Sequence, residues 1–105
     1  MKREIFDRIK SISKRLKEKY CAKTVILFGS YARGEETDDS DIDLFVIAHK
    51  GERFFDRIAS VKRLIRDLRN GLPVAPIVLT PEEIEKRKEL GDQFIMGKLE
   101  NGVRL

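Results

Sequence analysis

The chain has one cysteine, Cys21, no tryptophan and only three prolines in 105 residues. A lone cysteine excludes an internal disulfide and a Cys-x-x-Cys redox pair. Standing just before a strand, Cys21 is expected to be a small core hydrophobe. No apolar run approaches the roughly 20 residues that cross a bilayer, so no membrane partner is expected. At the N-terminus Arg3, Glu4, Asp7 and Arg8 interleave charge where a signal peptide would need an apolar stretch; a cytoplasmic location is expected. Repeats, low-complexity tracts and Pro/Gly/Ser-rich linkers are absent too. The expectation is a single domain over residues 1–105. That length allows one hydrophobic core and leaves no room for a second module to grip a large acceptor.

Charge is abundant, but neither sign dominates. The net +4 is the difference between 22 Lys and Arg and 18 Asp and Glu, which are interspersed along the chain. Such an excess attracts phosphate or an acidic partner, and is too small and dispersed to make nucleic acid the primary partner. Much Lys, Arg and Glu with little Cys and Met also suits a heat-adapted protein.

Hydrophobic periodicity sets out the elements. Ile5, Ile9, Ile12 and Leu16 step along one face of an amphipathic helix that ends near Tyr20. Thr24 to Phe28, apolar and β-branched, reads as a buried strand closed by Gly29. Ser30 to Ser40 leaves space for one helical turn and a loop. Asp41 to Ala48 alternates and then turns wholly apolar, as a strand does when its first part faces a polar cleft. Phe54, Ile58, Val61, Ile65 and Leu68 define a second long helix, with Asn70-Gly71 as its stop. Its basic residues, Arg53, Arg57, Lys62, Arg63, Arg66 and Arg69, are expected on a solvated face.

Val74 to Leu79 is a third strand, and Pro76 assigns it to an edge or bulge. Thr80-Pro81-Glu82-Glu83 is a helix start with a capping box, for a helix running to about Leu90. Residues 91–105 are expected to hold one more turn, with Phe94 and Ile95 packed on the body. The expected class is α+β, a small mixed sheet of three to four strands packed against helices.

One segment concentrates chemistry: Leu27-Phe-Gly29-Ser30-Tyr-Ala-Arg33-Gly34, five polar residues, then Ser40-Asp41-Ile-Asp43-Leu44. Gly29 allows a sharp turn and a close backbone approach to a ligand. A helical turn beginning at Ser30 would aim free N–H groups at phosphate oxygens. Residues two apart on a strand share a face, so Asp41 and Asp43 would project to one place. Two such carboxylates repel unless a cation lies between them, and hard oxygen ligands suit Mg²⁺.

Gly29-Ser30-x-x-Arg33-Gly34 followed by Ser40-Asp41-x-Asp43-Leu44 resembles the signature of the minimal nucleotidyltransferases, the smallest relatives of DNA polymerase β. The leading helix and the Leu79-Thr-Pro-Glu-Glu83 step are similar too, so the resemblance covers nearly the whole chain. It implies the nucleotidyltransferase fold, binding of ATP or another nucleoside triphosphate by Gly29, Ser30, Arg33 and Ser40, and Mg²⁺ held by Asp41 and Asp43 as the catalytic pair. Arg33 either meets a phosphate or braces an aspartate. The implied reaction is transfer of a nucleotidyl group, AMP above all, to a hydroxyl of a protein or other macromolecule. The implied partner is a HEPN-domain ribonuclease toxin, with a homodimer as a further possibility. One departure stands out. Family members that catalyse usually carry a third carboxylate on the strand after the long helix, where this chain has Ala75 and Ile77. A catalytically weak antitoxin that binds nucleotide and neutralises the ribonuclease by contact is therefore the alternative expectation.

Overall fold

The computed structural model describes residues 1–105. Its elements are α1 (Arg3–Lys19), β1 (Thr24–Phe28), α2 (Ser30–Arg33), β2 (Ile42–Ile47), α3 (Phe54–Leu64), α4 (Arg66–Arg69), β3 (Val74–Leu79), α5 (Pro81–Glu89), α6 (Gln93–Asn101) and β4 (Val103–Arg104). The four strands form one sheet in the order β3-β2-β1-β4. Strand β1 runs antiparallel to β2 and β4, and β2 runs parallel to β3. The sheet is thus mixed, as the element order implies, and the class is α+β.

Strand alternation divides the core into two layers. Val25, Leu27, Ile42, Leu44 and Val46 point to one face, where Ile9, Ile12 and Leu16 of α1 and Val61 of α3 meet them. Ile26, Phe45 and Leu79 point to the other, against Ile84 of α5 and Ile95 of α6. Phe45 is fully buried there. Pro76 lies on an edge strand, where its missing N–H breaks no ladder. Thr80 and Glu83 form the expected capping box, with Pro81 in the first turn.

The structure departs from the expectations in four places. The helix from Phe54 breaks at Ile65, whose φ of −105° and ψ of 5° are not helical. At the break Arg15 of α1 donates to the Leu64 carbonyl at 3.0 Å and grips Asp67. A guanidinium there serves a carbonyl that the interrupted ladder leaves free. Second, Arg57 is only 4% exposed instead of solvated. It donates to Glu83 at 2.7 Å and to the Glu52 and Val78 carbonyls at 2.8 and 3.3 Å, tying α3 to β3 and α5. Third, Cys21 is exposed and takes a left-handed φ of 58°. It turns the chain out of α1, and Tyr20 and Ala22 enter the core on either side of it.

The fourth departure shapes the site. Residues 91–105 hold a nine-residue helix and a strand, not one turn. Asp92 caps α6 by accepting the Ile95 N–H at 3.2 Å. Gly102 then brings the chain against β1, where an added Cβ would overlap Ile26 and come within 3.1 Å of the Leu27 carbonyl. Strand β4 can pair only because that close approach is open. Ile95 is buried as expected, whereas Phe94 is 63% exposed.

Candidate active site

Where β1 ends, β2 begins beside it, α2 starts and α6 crosses above. The cleft between them, of about 770 Å³, is lined by Phe28, Gly29, Arg33, Asp43, Phe94 and Lys98 among others. Phe28 and Asp43 are partners across the β1–β2 ladder, so the pairing of the two strands delivers both to one spot.

Gly29 adopts φ 76° and ψ −155°, a region that only glycine occupies without strain. A Cβ at Gly29 would overlap the Asp43 carboxylate, with Cγ at 3.3 Å. The absent side chain is what lets Asp43 lie against the turn. Ser30 opens α2, and Gly34 closes it with a left-handed φ of 71°. Arg33 lines the cleft but spends its Nε on Glu35 at 3.0 Å. The Ser40 hydroxyl accepts the Thr37 N–H at 2.8 Å and so closes the loop before β2. Asp41 precedes the strand and is exposed, whereas Asp43 is half-buried within it. The structure brings Gly29, Arg33 and Asp43 into one cleft and sets Asp41 two residues before Asp43, while Ser40 works in the loop.

Burial raises the Asp43 carboxyl above its ordinary range, and the Asp41 charge raises it further; Lys98 and Arg33 pull it down. A carboxylate that desolvation and a like charge both disfavour is one that a cation would stabilise. The donor set is hard oxygen, which suits Mg²⁺ completed by waters and phosphates. By their chemistry Asp41 and Asp43 fit a divalent cation. No third Asp, Glu, His or Cys joins them in a metal-holding group. The ladder also separates the two positions that sequence leaves equivalent. Ala75 lies in register with Asp43 and so stands beside it on the neighbouring strand, whereas Ile77 lies in register with Phe45 and lines the cleft.

Sequence reasoning missed Lys98. Its ammonium sits 3.8 Å from the ring centroid of Phe28 and 3.4 Å from that of Phe94. Burial lowers its pKa, partly offset by the Asp43 charge. The available signal was the four-residue step from Phe94 to Lys98, which puts both on one face once a helix is granted. His49, the sole histidine, lies outside this cleft, 3.4 Å from Glu82.

Sequence and fold both have relatives among known proteins. Residues 9–102 match the nucleotidyltransferase domain family. A Methanocaldococcus jannaschii protein named "Putative protein adenylyltransferase" is 37% identical over 81 residues, covering 75% of this chain and 77% of its own length. Another protein of that name from the same organism is 54% identical over 43 residues, covering 41% of this chain and 43% of its own length. The match thus spans less than half of that relative. Among solved structures, a "putative nucleotidyltransferase" from Sulfolobus solfataricus superposes with a TM-score of 0.52 at 32% identity, covering 82% of this chain and 81% of that one.

Proposed function

Because the chain belongs to the nucleotidyltransferase domain family, we propose that it binds a magnesium–ATP complex and transfers AMP to a hydroxyl of a protein or another macromolecule. The observation that carries this reading is the contact between Gly29 and Asp43. It sets a carboxylate directly against the Gly-Ser turn that would hold the triphosphate. Asp41 and Asp43 would hold Mg²⁺, and when bound the ion supplies neutralisation of phosphate charge. Ser30 and the first amides of α2 would hold phosphate oxygens and keep the α-phosphate in line with the acceptor. Arg33 would exchange Glu35 for a phosphate, and Ser40 would keep the loop bearing Asp41 in place. In the transfer, the acceptor oxygen bonds to the α-phosphorus as the bond to the β-phosphate bridge oxygen breaks. Pyrophosphate leaves, and the hydroxyl proton passes to solvent. Positioning and electrostatics supply the acceleration, since phosphoryl chemistry needs little covalent help from a protein.

Ala75 beside Asp43 favours a second reading. Without a third carboxylate, the domain would bind nucleotide, transfer it slowly and act as an antitoxin by contact with a HEPN-domain ribonuclease. Either reading calls for a partner chain, or a second copy of this one, to present the acceptor. The two separate in one assay: the protein with its co-purified partner, given α-32P-labelled or γ-32P-labelled ATP. Magnesium-dependent label on the partner from the α position alone supports transfer. Ribonuclease inhibition with no label supports the contact antitoxin. Label from the γ position would contradict both.

A further inference from the structure

This inference rests on the nucleotide reading of the cleft and concerns the cation already inside it. Lys98 approaches the cleft from α6 and lies between the rings of Phe28 and Phe94, at 3.8 and 3.4 Å from their centroids. It has no carboxylate within ion-pair distance, whereas Arg33, which also lines the cleft, is paired with Glu35 at 3.0 Å. Lys98 is thus the cleft cation free of an ion pair. What holds it is ring-face attraction, weaker than a charge-assisted hydrogen bond to a phosphate oxygen. The cleft is also open beside it. The preceding residue, Gly97, lines the cleft without a side chain, and the nearest atom to a Cβ placed there is Asn101 Nδ2 at 4.0 Å.

We infer that Lys98 is a positioning residue for the nucleotide: in the free protein two aromatic rings hold its ammonium in the cleft that Asp43 also lines, and on nucleotide binding it turns to the phosphates. Such an exchange has two signatures of opposite sign. A lysine near Asp43 opposes a metal ion that binds alone, because like charges repel. The same lysine favours a metal-bound triphosphate, whose remaining negative charge it meets. A residue with only a structural role would weaken both.

The test compares wild type with Lys98→Met and Lys98→Arg by titration calorimetry, using Mn²⁺ alone, ATP with Mg²⁺, and AMP with Mg²⁺. Thermal unfolding of each variant checks the fold, and Lys98→Gln replaces the methionine variant should that one fail to fold. For Lys98→Met we expect ATP binding weaker by roughly tenfold to a hundredfold, the loss of one charge-assisted contact. AMP should change far less, and Mn²⁺ alone should bind severalfold tighter. Lys98→Arg should keep most of the affinity for ATP. Equal loss for ATP and AMP, weaker Mn²⁺ binding, or no change in either ligand would overturn the inference while leaving the nucleotide site intact. Absence of magnesium-dependent ATP binding by wild type would overturn the nucleotide reading itself, and this inference with it.

Discussion

The carboxylate of Asp43 occupies the space in which a side chain at residue 29 would begin. Two constraints therefore meet at Gly29: its own backbone conformation, φ 76° and ψ −155°, and the position of an acid distant in sequence but adjacent in space. Gly29→Ala should destabilise the fold by about 1–3 kcal/mol from backbone strain alone. It should also displace Asp43, so that magnesium-dependent nucleotide binding falls further than the stability change accounts for. Urea denaturation and calorimetry on the same variant check the two parts. An alanine variant with wild-type stability would show that the turn tolerates a Cβ.

Ala75 is the position at which an added acid would join the pair, since it lies in register with Asp43. Ala75→Asp should raise the rate of pyrophosphate release with the natural acceptor by on the order of 10²-fold, the scale on which one charge-stabilising group acts. Ile77→Asp should instead destabilise, because Ile77 packs against the core layer of Phe45 and Leu79. Fast wild-type turnover, abolished by Asp43→Asn and unimproved by Ala75→Asp, would show that this chain does not need the third acid.

Arg57 and Glu83 join three elements through a side chain that is almost wholly buried on the arginine side. Arg57→Met should cost about 2–3 kcal/mol, the scale of lost hydrogen bonds to a charged group, read from urea midpoints at neutral pH. Burial pushes the Glu83 carboxyl up, but the Thr80 N–H and the Arg57 guanidinium outweigh it and hold the carboxyl below its ordinary 4.5. A depressed carboxyl contributes stability that is fully present above 4.5 and lost as the pH falls through the lower folded value. Glu83→Gln, which keeps the capping geometry, should therefore lose less stability than wild type on acidification across that window. Parallel pH dependences would exclude Glu83 as a source of acid sensitivity.

Gly97 lies inside α6 with no close neighbour for a Cβ. Gly97→Ala should stabilise by about 0.5–1 kcal/mol through reduced backbone freedom in the unfolded chain. Gly97→Leu should fill the cleft and weaken ATP binding. A lower melting temperature for the alanine variant would show that the glycine answers to a packing constraint at α6.

How much of the fold and site the sequence displays depends on how strongly each element repeats a pattern. The four-three-four step of Ile5, Ile9, Ile12 and Leu16 specifies α1, and the Thr80 to Glu83 capping box marks the start of α5. The candidate site is marked by residue type, a Gly-Ser turn followed by two aspartates at strand spacing, so Gly29 and Asp43 stand out in the sequence as a combined pattern. Helix α6 does not, because Gly97 interrupts its pattern, and a two-residue strand such as β4 has no period to read. Arg57 looks like its neighbours Arg53 and Arg63; only the close approach of α5 and β3 buries it. Lys98 is one of 22 basic residues, singled out only when α6 lies across the sheet end.

The most direct test of the nucleotide site is calorimetry of ATP binding in Mg²⁺ and in EDTA, for wild type and for Asp41→Asn/Asp43→Asn. Wild type should bind ATP with Mg²⁺ and lose most of that affinity in EDTA, and the double variant should behave in Mg²⁺ as wild type does in EDTA. Equal affinity of the two proteins for ATP in Mg²⁺ would contradict the assignment of Asp41 and Asp43 to the metal.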